Sequence, residues 1–128
     1  LGDVYKRQVM DQYAGGIGTH YQFNEKQLAM AEEKIKKLQI LAKGLAAADM
    51  HELMFIYELK ERLTVCLTVI AHLRARKETR WHSFAENLDY PEKSDAWLCY
   101  VNSKKNGDQI TMIRRDLVKG GETYEHRD

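Results

Sequence analysis

Residues 49–81 read DMHELMFIYELKERLTVCLTVIAHLRARKETRW, and this stretch predicts the helix around which the chain folds. Asp49 is a favourable N-cap, and Glu52 three positions later completes a pattern that resembles a capping box. Apolar residues then recur at helical spacing: Met50, Leu53, Met54, Tyr57, Leu59 and Leu63. We therefore expect one helix of about 28 residues, roughly 42 Å long, with the helical pattern stopping after Arg80.

The second half of this helix, Val65–Leu73, has almost no polar face. A helix that is apolar nearly all round is buried in something, and this one is long for so small a domain. We therefore expect it to be built for a larger body than this chain supplies, so that the chain by itself exposes apolar surface.

An amphipathic helix is predicted upstream, with Asn24 as N-cap and Gln27 at the matching third position. One apolar stripe runs along it: Leu28, Ala31, Ile35, Leu38, Leu41 and Leu45. Gly44 marks its end. Because the connection through residues 46–48 is short, we expect the two helices to pack antiparallel, as in a bundle.

Val9–Ala14 is typical of the last turns of a further helix, which Gly15-Gly16 ends. Residues 17–23 then predict a loop or a short extended piece. Three glycines here resemble a phosphate cradle, but their spacing is neither that of the dinucleotide fingerprint nor that of a P-loop. A turn is the preferred interpretation.

Residues 1–8, LGDVYKRQ, lack an initiator methionine and continue no downstream pattern. Read back into codons, they match the transposon-end adapter used to prepare sequencing libraries. We interpret residues 1–8 as translated adapter, to be excluded from fold reasoning, with the natural sequence starting at Val9 in mid-protein. An ordinary flexible N-terminus is the alternative.

Beyond the long helix, residues 81–95 predict a loop whose length and aromatic content indicate that it is functional or pinned to something. Trp97–Ser103 and Gln109–Arg115 predict two strands, joined by the hairpin turn signal Asn106-Gly107. The predicted fold class is therefore mainly α: an antiparallel helical bundle of two long helices plus the end of a third, then a long loop and a C-terminal β-hairpin. The helical domain with its loop covers 9–95, the hairpin segment 96–118 and a frayed tail 119–128.

Composition limits the function classes. A chain of 128 residues with 44% hydrophobic content is one ordered domain. A net charge of +1 gives no electrostatic case for nucleic acid or an anionic membrane as partner. No stretch reaches the ~20 apolar residues of a membrane span, and no signal peptide is present, so we expect a cytoplasmic protein. Cys66 and Cys99 lie in apolar patterns typical of buried, reduced thiols.

The sequence offers no metal-ligand spacing such as HExxH or CxxC. His51 and His72 are about six helical turns apart and cannot share a metal ion. Cys66 and His72 do not face each other on a helix, which argues against a cysteine–histidine pair. We therefore predict no catalytic, cofactor-binding or metal-binding residue in this chain.

Four basic residues close the long helix: Arg74, Arg76, Lys77 and Arg80. They are compatible with cations that complement the helix dipole, or with a site for a phosphate or carboxylate. Glu78 among them argues for internal ion pairing.

The motif Arg76-Lys77-Glu78-Thr79-Arg80-Trp81, followed by Asp89-Tyr90-Pro91, resembles the C-terminal region of the succinate dehydrogenase and fumarate reductase flavoprotein family. That family carries an E-S-R-G-x-H stretch and then D-[YF]-P. Here Thr79 replaces the serine and Trp81 the glycine, as in the adenylylsulfate reductase alpha-subunit branch with its R-K-E-T-R-[WY]. Three other stretches are similar to that branch: Asp49–Lys60, Val9–Gly16 and Trp97–Ser103.

The resemblance implies the C-terminal helical domain of an FAD-dependent oxidoreductase alpha subunit, whose reaction would convert adenylylsulfate to sulfite plus AMP. FAD would be bound by the flavin-binding domain of the same parent chain, absent here, and an iron–sulfur beta subunit would be the partner. This fragment alone would not be active. The resemblance marks seven residues as structural or interface candidates: Arg76, Lys77, Glu78, Thr79, Arg80, Trp81 and Asp89.

Residues 82–87 depart from the proline and tyrosine run that follows this motif in the branch. A fragment of a succinate- or fumarate-type flavoprotein therefore stays open, as does a free-standing helical protein-interaction module. Nucleic-acid binding through Arg74–Arg80 is a third possibility, which the near-zero net charge opposes.

Overall fold

The computed structural model describes residues 2–117 and shows three packed helices followed by a β-hairpin. The helices are α1 (Gly2–Tyr13), α2 (Glu25–Lys43) and α3 (Met50–Ala75). The strands are β1 (Gln22–Phe23), β2 (Glu86–Asn87), β3 (Cys99–Asn106) and β4 (Gln109–Asp116). Single 3₁₀ turns cover Ile17–Thr19 and Asp95–Trp97. The predicted mainly α fold class with a hairpin is confirmed.

Side-chain caps start both long helices where the sequence predicts them. The Asn24 side chain accepts a hydrogen bond from the Gln27 N–H at 2.8 Å, and the Asp49 side chain accepts one from the Glu52 N–H at 2.9 Å. The Glu52 carboxylate in turn accepts from the Ala48 N–H at 2.7 Å. This reciprocal pair reaches one residue further back than a standard capping box, and it fixes the start of α3.

The hydrophobic core lies between the three helices. Its buried helical side chains are Val9 from α1; Leu28, Ala31, Ile35 and Ala42 from α2; and Leu63, Cys66 and Ile70 from α3. Arg74 near the end of α3 pairs with Glu25 and Glu32 in the first half of α2. The two helices are therefore antiparallel, as predicted.

The predicted apolar stripe of α2 is wrong at its C-terminal end. Leu41 and Leu45 are 68% and 50% exposed, whereas Ala42 is buried. Ala42 lies seven residues, or about two turns, after Ile35 and therefore on the same side of the helix. Leu41 is rotated by about 100° from Ala42 and points away from the core. Gly44 follows the last helical residue, as predicted.

Only one side of α3 is covered within the described residues. Leu63, Cys66 and Ile70 are buried, but Val65 and Val69 are exposed. Three apolar residues of the first half, which recur at helical spacing as predicted, are exposed as well: Met50, Met54 and Tyr57. We call these five exposed residues, Met50, Met54, Tyr57, Val65 and Val69, the exposed α3 face. The chain thus exposes apolar surface on its longest helix, as expected of a helix built for a larger body.

The prediction that the helical pattern extends to Arg80 is wrong. The last helical residue is Ala75, so α3 has 26 residues. Arg76 takes an extended conformation, with φ −85° and ψ 104°, while its N–H still bonds to the His72 carbonyl. Hydrogen bonds from Arg76, Thr79 and Arg80 to distant parts of the chain replace the last helical turn.

The hairpin packs one face against α3 and is shifted slightly from its predicted limits. Trp97 lies in a 3₁₀ turn rather than in a strand, and β3 runs on to Asn106. Asn106 pairs with Gln109, so the two turn residues are Gly107 and Asp108. Gly107 has φ +63°, which suits the first central position of a type II′ turn.

The long loop is pinned to the N-terminal part of the chain, as its length predicts. Strand β2 pairs with β1 in parallel, with Gln22 opposite Glu86 and Phe23 opposite Asn87. The buried ring of Phe23 lies at this junction. The pairing holds the loop beside the start of α2.

Residues 2–8 form the first turns of α1, and Asp3 pairs there with Lys6, Arg7 and Arg62. A helix can continue into adapter-derived residues, so the helical state of residues 2–8 does not test the adapter interpretation, which stays a prediction.

Cys66 is buried and Cys99 half-buried, and both are free. Burial raises the pKa of the Cys66 thiol. The predicted frayed tail, 119–128, lies outside the described residues.

Candidate functional site

The motif that starts at Arg76 forms a network of hydrogen bonds at the C-terminal end of α3. Its centre is the Glu78 carboxylate, which has no exposed surface. Arg76 donates to Oε1 at 2.8 Å, and Arg80 donates to both oxygens at 2.9 Å. The Ser94 N–H donates to Oε2 at 3.1 Å. We call these four residues the Glu78 cluster.

The charge of Glu78 is stabilised where it is buried. Burial on its own raises the pKa of this carboxyl, but the hydrogen bonds from Arg80, the Ser94 N–H and Arg76 outweigh it and hold the pKa of Glu78 below its ordinary value. The same pairing raises the pKa of Arg80. The cluster therefore stays ionised and fully paired at neutral pH.

The two arginines extend the network to distant backbone. Arg76 donates to the Trp97 carbonyl at 2.7 Å and to the Cys99 carbonyl at 2.9 Å, at the start of the hairpin. Arg80 donates to the Ser94 carbonyl at 3.1 Å. The planar guanidinium suits this use because it presents several donors in fixed directions. The cluster thus fixes where the loop ends and where β3 begins.

Thr79 fixes the middle of the loop through hydrogen bonds to its backbone. Its buried hydroxyl accepts from the Asn87 N–H at 3.0 Å and lies 2.8 Å from the Tyr90 carbonyl, to which it donates. Its N–H donates to the Glu92 carbonyl at 3.2 Å. One residue therefore fixes three points of residues 87–92.

Asp89 connects the loop to α2. Its carboxylate accepts from the Glu25 N–H, the first of α2, at 2.7 Å. A carboxylate at this position satisfies a free donor and complements the positive end of the helix dipole. Asp89 is thus a helix cap supplied from 64 residues away.

Two of the seven candidates do not join the network. Lys77 is exposed, and the Trp81 side chain is 67% exposed. Near Trp81 in sequence, Phe84 is also exposed, and its ring lies 6.5 Å from that of Tyr21. The structure therefore places Arg76, Glu78, Thr79 and Arg80 around the loop, Asp89 at α2, and Lys77 and Trp81 on the surface.

Internal ion pairing, the interpretation that Glu78 favours, accounts for the three arginines among the four basic residues that close α3. Arg76 and Arg80 face Glu78, while Arg74 faces Glu25 and Glu32 on α2. The hydrogen bond that Arg74 donates to the Glu25 carboxylate is the main cause of the raised pKa of Arg74. These carboxylates occupy the guanidinium groups that an external anion would need.

Sequence reasoning missed Asn87 and Ser94 as members of this site. Asn87 is buried, and its side-chain oxygen accepts from the N–H groups of Asp89 and Tyr90 at 3.0 and 3.3 Å. An asparagine in a loop is a weak signal for such an Asx turn, in which its side chain bonds to the backbone two residues on. Ser94 contributes only backbone atoms, so its side chain gave no signal.

Of the three glycines in this loop, Gly16 and Gly18 lie against Asp11, whereas Gly15 lies against Phe23. The Gly18 N–H donates to Asp11 Oδ1 at 3.0 Å. A Cβ on Gly16 would lie 2.4 Å from the Asp11 Cα, so only glycine allows this approach. The loop is a turn around a carboxylate, which would repel a phosphate.

Residues 2–117 contain no group of three or more histidine, cysteine, aspartate or glutamate side chains that could hold a metal ion. Within the same range, no helix is both long and apolar enough to cross a membrane.

Comparisons with known proteins relate this chain to one enzyme subunit. The chain is 34% identical over 95 residues to the adenylylsulfate reductase alpha subunit of Megalodesulfovibrio gigas. Over 97% of its own length, this chain superposes on the adenylylsulfate reductase of Archaeoglobus fulgidus with a TM-score of 0.88 and 38% sequence identity. This chain is homologous to part of the adenylylsulfate reductase alpha subunit. No protein-family model matches it.

The homology covers one region of a longer protein. The chain spans 14% of the M. gigas subunit and 20% of the A. fulgidus chain. The quinol fumarate reductase flavoprotein FrdA of E. coli has the same fold over 92% of this chain, with a TM-score of 0.75 at 20% identity. The adenylylsulfate reductase region and the fumarate reductase flavoprotein therefore share this arrangement of helices and hairpin.

Proposed function

We propose that this chain is the C-terminal helical region of an FAD-dependent oxidoreductase alpha subunit that converts adenylylsulfate to sulfite plus AMP. The observation that carries the proposal is the 38% identity to the A. fulgidus enzyme, combined with a TM-score of 0.88 over 97% of the chain. A related solved adenosine-5-phosphosulfate reductase holds sulfite as a covalent adduct, which is the product expected of this reaction.

The described residues do not fit FAD. Dinucleotide folds bind the pyrophosphate at a glycine-rich turn between a strand and a helix. Here the glycines follow the end of α1, and two of them, Gly16 and Gly18, lie against the Asp11 carboxylate. We therefore assign FAD to a flavin-binding domain of the parent chain, outside these residues.

The role we assign to this region is structural. The Glu78 cluster, Thr79 and Asp89 fix residues 81–95 against α2 and the hairpin, which gives the parent subunit a rigid surface. The exposed α3 face supports packing on the flavin-binding domain, because apolar side chains of a monomer are rarely left in such a patch. An iron–sulfur beta subunit is the proposed electron-exchange partner, and this chain by itself would not turn over substrate.

The first test is the reading frame of the source DNA upstream of the Val9 codon. We expect it to continue into a flavin domain with a glycine-rich fingerprint. A start codon immediately before Val9 would contradict the proposal and favour a free-standing interaction module. Genomic DNA that encodes residues 1–8 in the same frame would contradict the adapter interpretation alone.

The second test uses the complete reading frame expressed with its beta subunit. We expect bound flavin and sulfite-dependent formation of adenylylsulfate from AMP with an artificial electron acceptor. The 128-residue chain, as the matched control, should bind no FAD in equilibrium dialysis. Reduction of fumarate without any adenylylsulfate activity would assign the parent to the succinate- or fumarate-type enzymes instead.

A further inference from the structure

A cleft lined by lysines lies between α2, α3 and the hairpin, away from the Glu78 cluster. Its volume is about 670 Å³. Four lysines line it: Lys36, Lys43, Lys60 and Lys105. Asp108 is the single carboxylate among the lining residues. The chain as a whole has a net charge of +1, so this excess of positive charge is local.

Three of these lysines have no carboxylate partner in the described part of the chain. Lys36 pairs with Glu32 at 2.6 Å. No ion pair within 4.0 Å involves Lys43, Lys60 or Lys105 among residues 2–117. Like charges brought together around one cleft repel each other, and an anion placed between them relieves that repulsion.

The rest of the cleft limits what kind of anion fits. Ile40, Leu67 and Ile110 give it apolar walls. The hydroxyls of Thr64 and Thr68 donate to carbonyls of the preceding helical turn, so the remaining donors of the lining are the lysines and the side chains of Gln39 and Ser103. A ligand that matches both features carries several negative charges and apolar groups together.

We propose that this lysine cleft binds an acidic, amphipathic segment of a separate polypeptide. A discrete phosphate is recognised best by guanidinium groups or a cradle of backbone N–H groups, and the cleft presents neither; its lysines are point charges on flexible stems. A segment of repeated carboxylates and apolar side chains matches their spread and the apolar walls. Charge-rich surfaces suit partners that associate and separate, whereas apolar surface such as the exposed α3 face suits permanent contacts.

The test measures binding of a fluorescein-labelled peptide of glutamate and leucine to the full 128-residue chain by fluorescence anisotropy. The cleft variant is Lys43→Gln/Lys60→Gln/Lys105→Gln. The matched control is Lys26→Gln/Lys93→Gln/Lys104→Gln, which removes the same charge from exposed lysines outside the cleft. Lys104 is the neighbour of Lys105 on the opposite face of β3. Circular dichroism checks that each variant is folded.

We expect the cleft variant to bind the peptide about tenfold more weakly than the unmodified chain, and the control variant to change affinity less than about twofold. Binding should weaken as salt is raised. Equal losses in both variants, or no binding by the unmodified chain, would overturn the proposal. Full competition by millimolar inorganic phosphate would show a small-anion site. Salt-sensitive self-association lost only in the cleft variant would show that a second copy of this chain occupies the cleft. The phosphate result or the self-association result would also overturn the proposal.

Discussion

At the scale of single residues, the motif around Glu78 connects distant backbone segments through hydrogen bonds. Glu78 and its two arginines fix Ser94 and the start of the hairpin, while Thr79 fixes residues 87–92. Thr79 makes both side-chain bonds through its hydroxyl, and a serine hydroxyl could make the same two bonds. The hydroxyl is therefore the feature this position requires.

Replacing Glu78 with glutamine should lower the free energy of unfolding by about 2 kcal/mol or more, because it leaves two arginines beside a buried neutral group. Chemical denaturation measures the change. The matched control is Glu33→Gln, since Glu33 makes an exposed pair with Lys37 and should change stability by less than about 0.5 kcal/mol. Similar values for both variants would contradict a structural role for the Glu78 cluster.

The stabilisation from Glu78 should depend on pH. Its folded pKa lies below the ordinary value of 4.5, so its contribution is complete above that pH and is lost as pH falls through the folded pKa. The difference in unfolding free energy between the unmodified chain and Glu78→Gln should therefore narrow below pH 4.5. Parallel denaturation series at several pH values measure this difference. A difference in unfolding free energy that stays constant down to pH 2 would contradict an ionised, stabilising Glu78.

Thr79→Val should lower the free energy of unfolding by about 1–3 kcal/mol, because the Asn87 N–H and the Tyr90 carbonyl lose a buried partner. Thr79→Ser keeps the hydroxyl and should cost less than about 1.5 kcal/mol. Limited proteolysis within residues 81–95 should accelerate in the valine variant and not in the serine variant. Equal acceleration in both would show that the methyl group, rather than the hydroxyl, holds the loop.

At the scale of elements, the connection after α1 depends on close approach of backbone to Asp11. Gly16→Ala should lower the free energy of unfolding by about 1–3 kcal/mol, because the added Cβ meets Asp11 backbone at 2.4 Å. Gly44→Ala is the matched control: the nearest atom to its Cβ is 3.6 Å away, and its φ of −88° suits alanine. Thermal unfolding compares the two. A tolerated Gly16→Ala would mean that this turn relaxes readily.

The elements predicted best from sequence are those whose limits are set by neighbouring residues. Asn24 and Asp49 cap their helices through bonds to residues three positions away, and Gly107 supplies the positive φ of the hairpin turn. The end of α3 was predicted wrongly because it depends on Ser94, Trp97 and Cys99, which are 14 to 23 residues from their partners.

At the scale of the whole molecule, the exposed α3 face should make the 128-residue chain self-associate. Sedimentation velocity should show concentration-dependent association that weakens in Val65→Gln/Val69→Gln, because burial of apolar surface drives it. Leu41→Gln/Leu45→Gln on α2 removes similar exposed side chains elsewhere and should have little effect. A stable monomer at high concentration would count against a face built for permanent contact.

The sequence by itself determined the two long helices with their N-caps, the end of a third helix, the hairpin and the resemblance that singled out residues 76–81 and 89. These features depend on helical periodicity, local side-chain to backbone bonds and short motifs, all of which are visible within a few residues. Only the tertiary structure decided that Glu78 is a buried ionised group, that Asp89 caps α2, and that three lysines without carboxylate partners in the described chain surround one cleft. Each of these depends on groups brought together from distant positions, and in an isolated sequence no local signal specifies which distant donor or charge will be the neighbour.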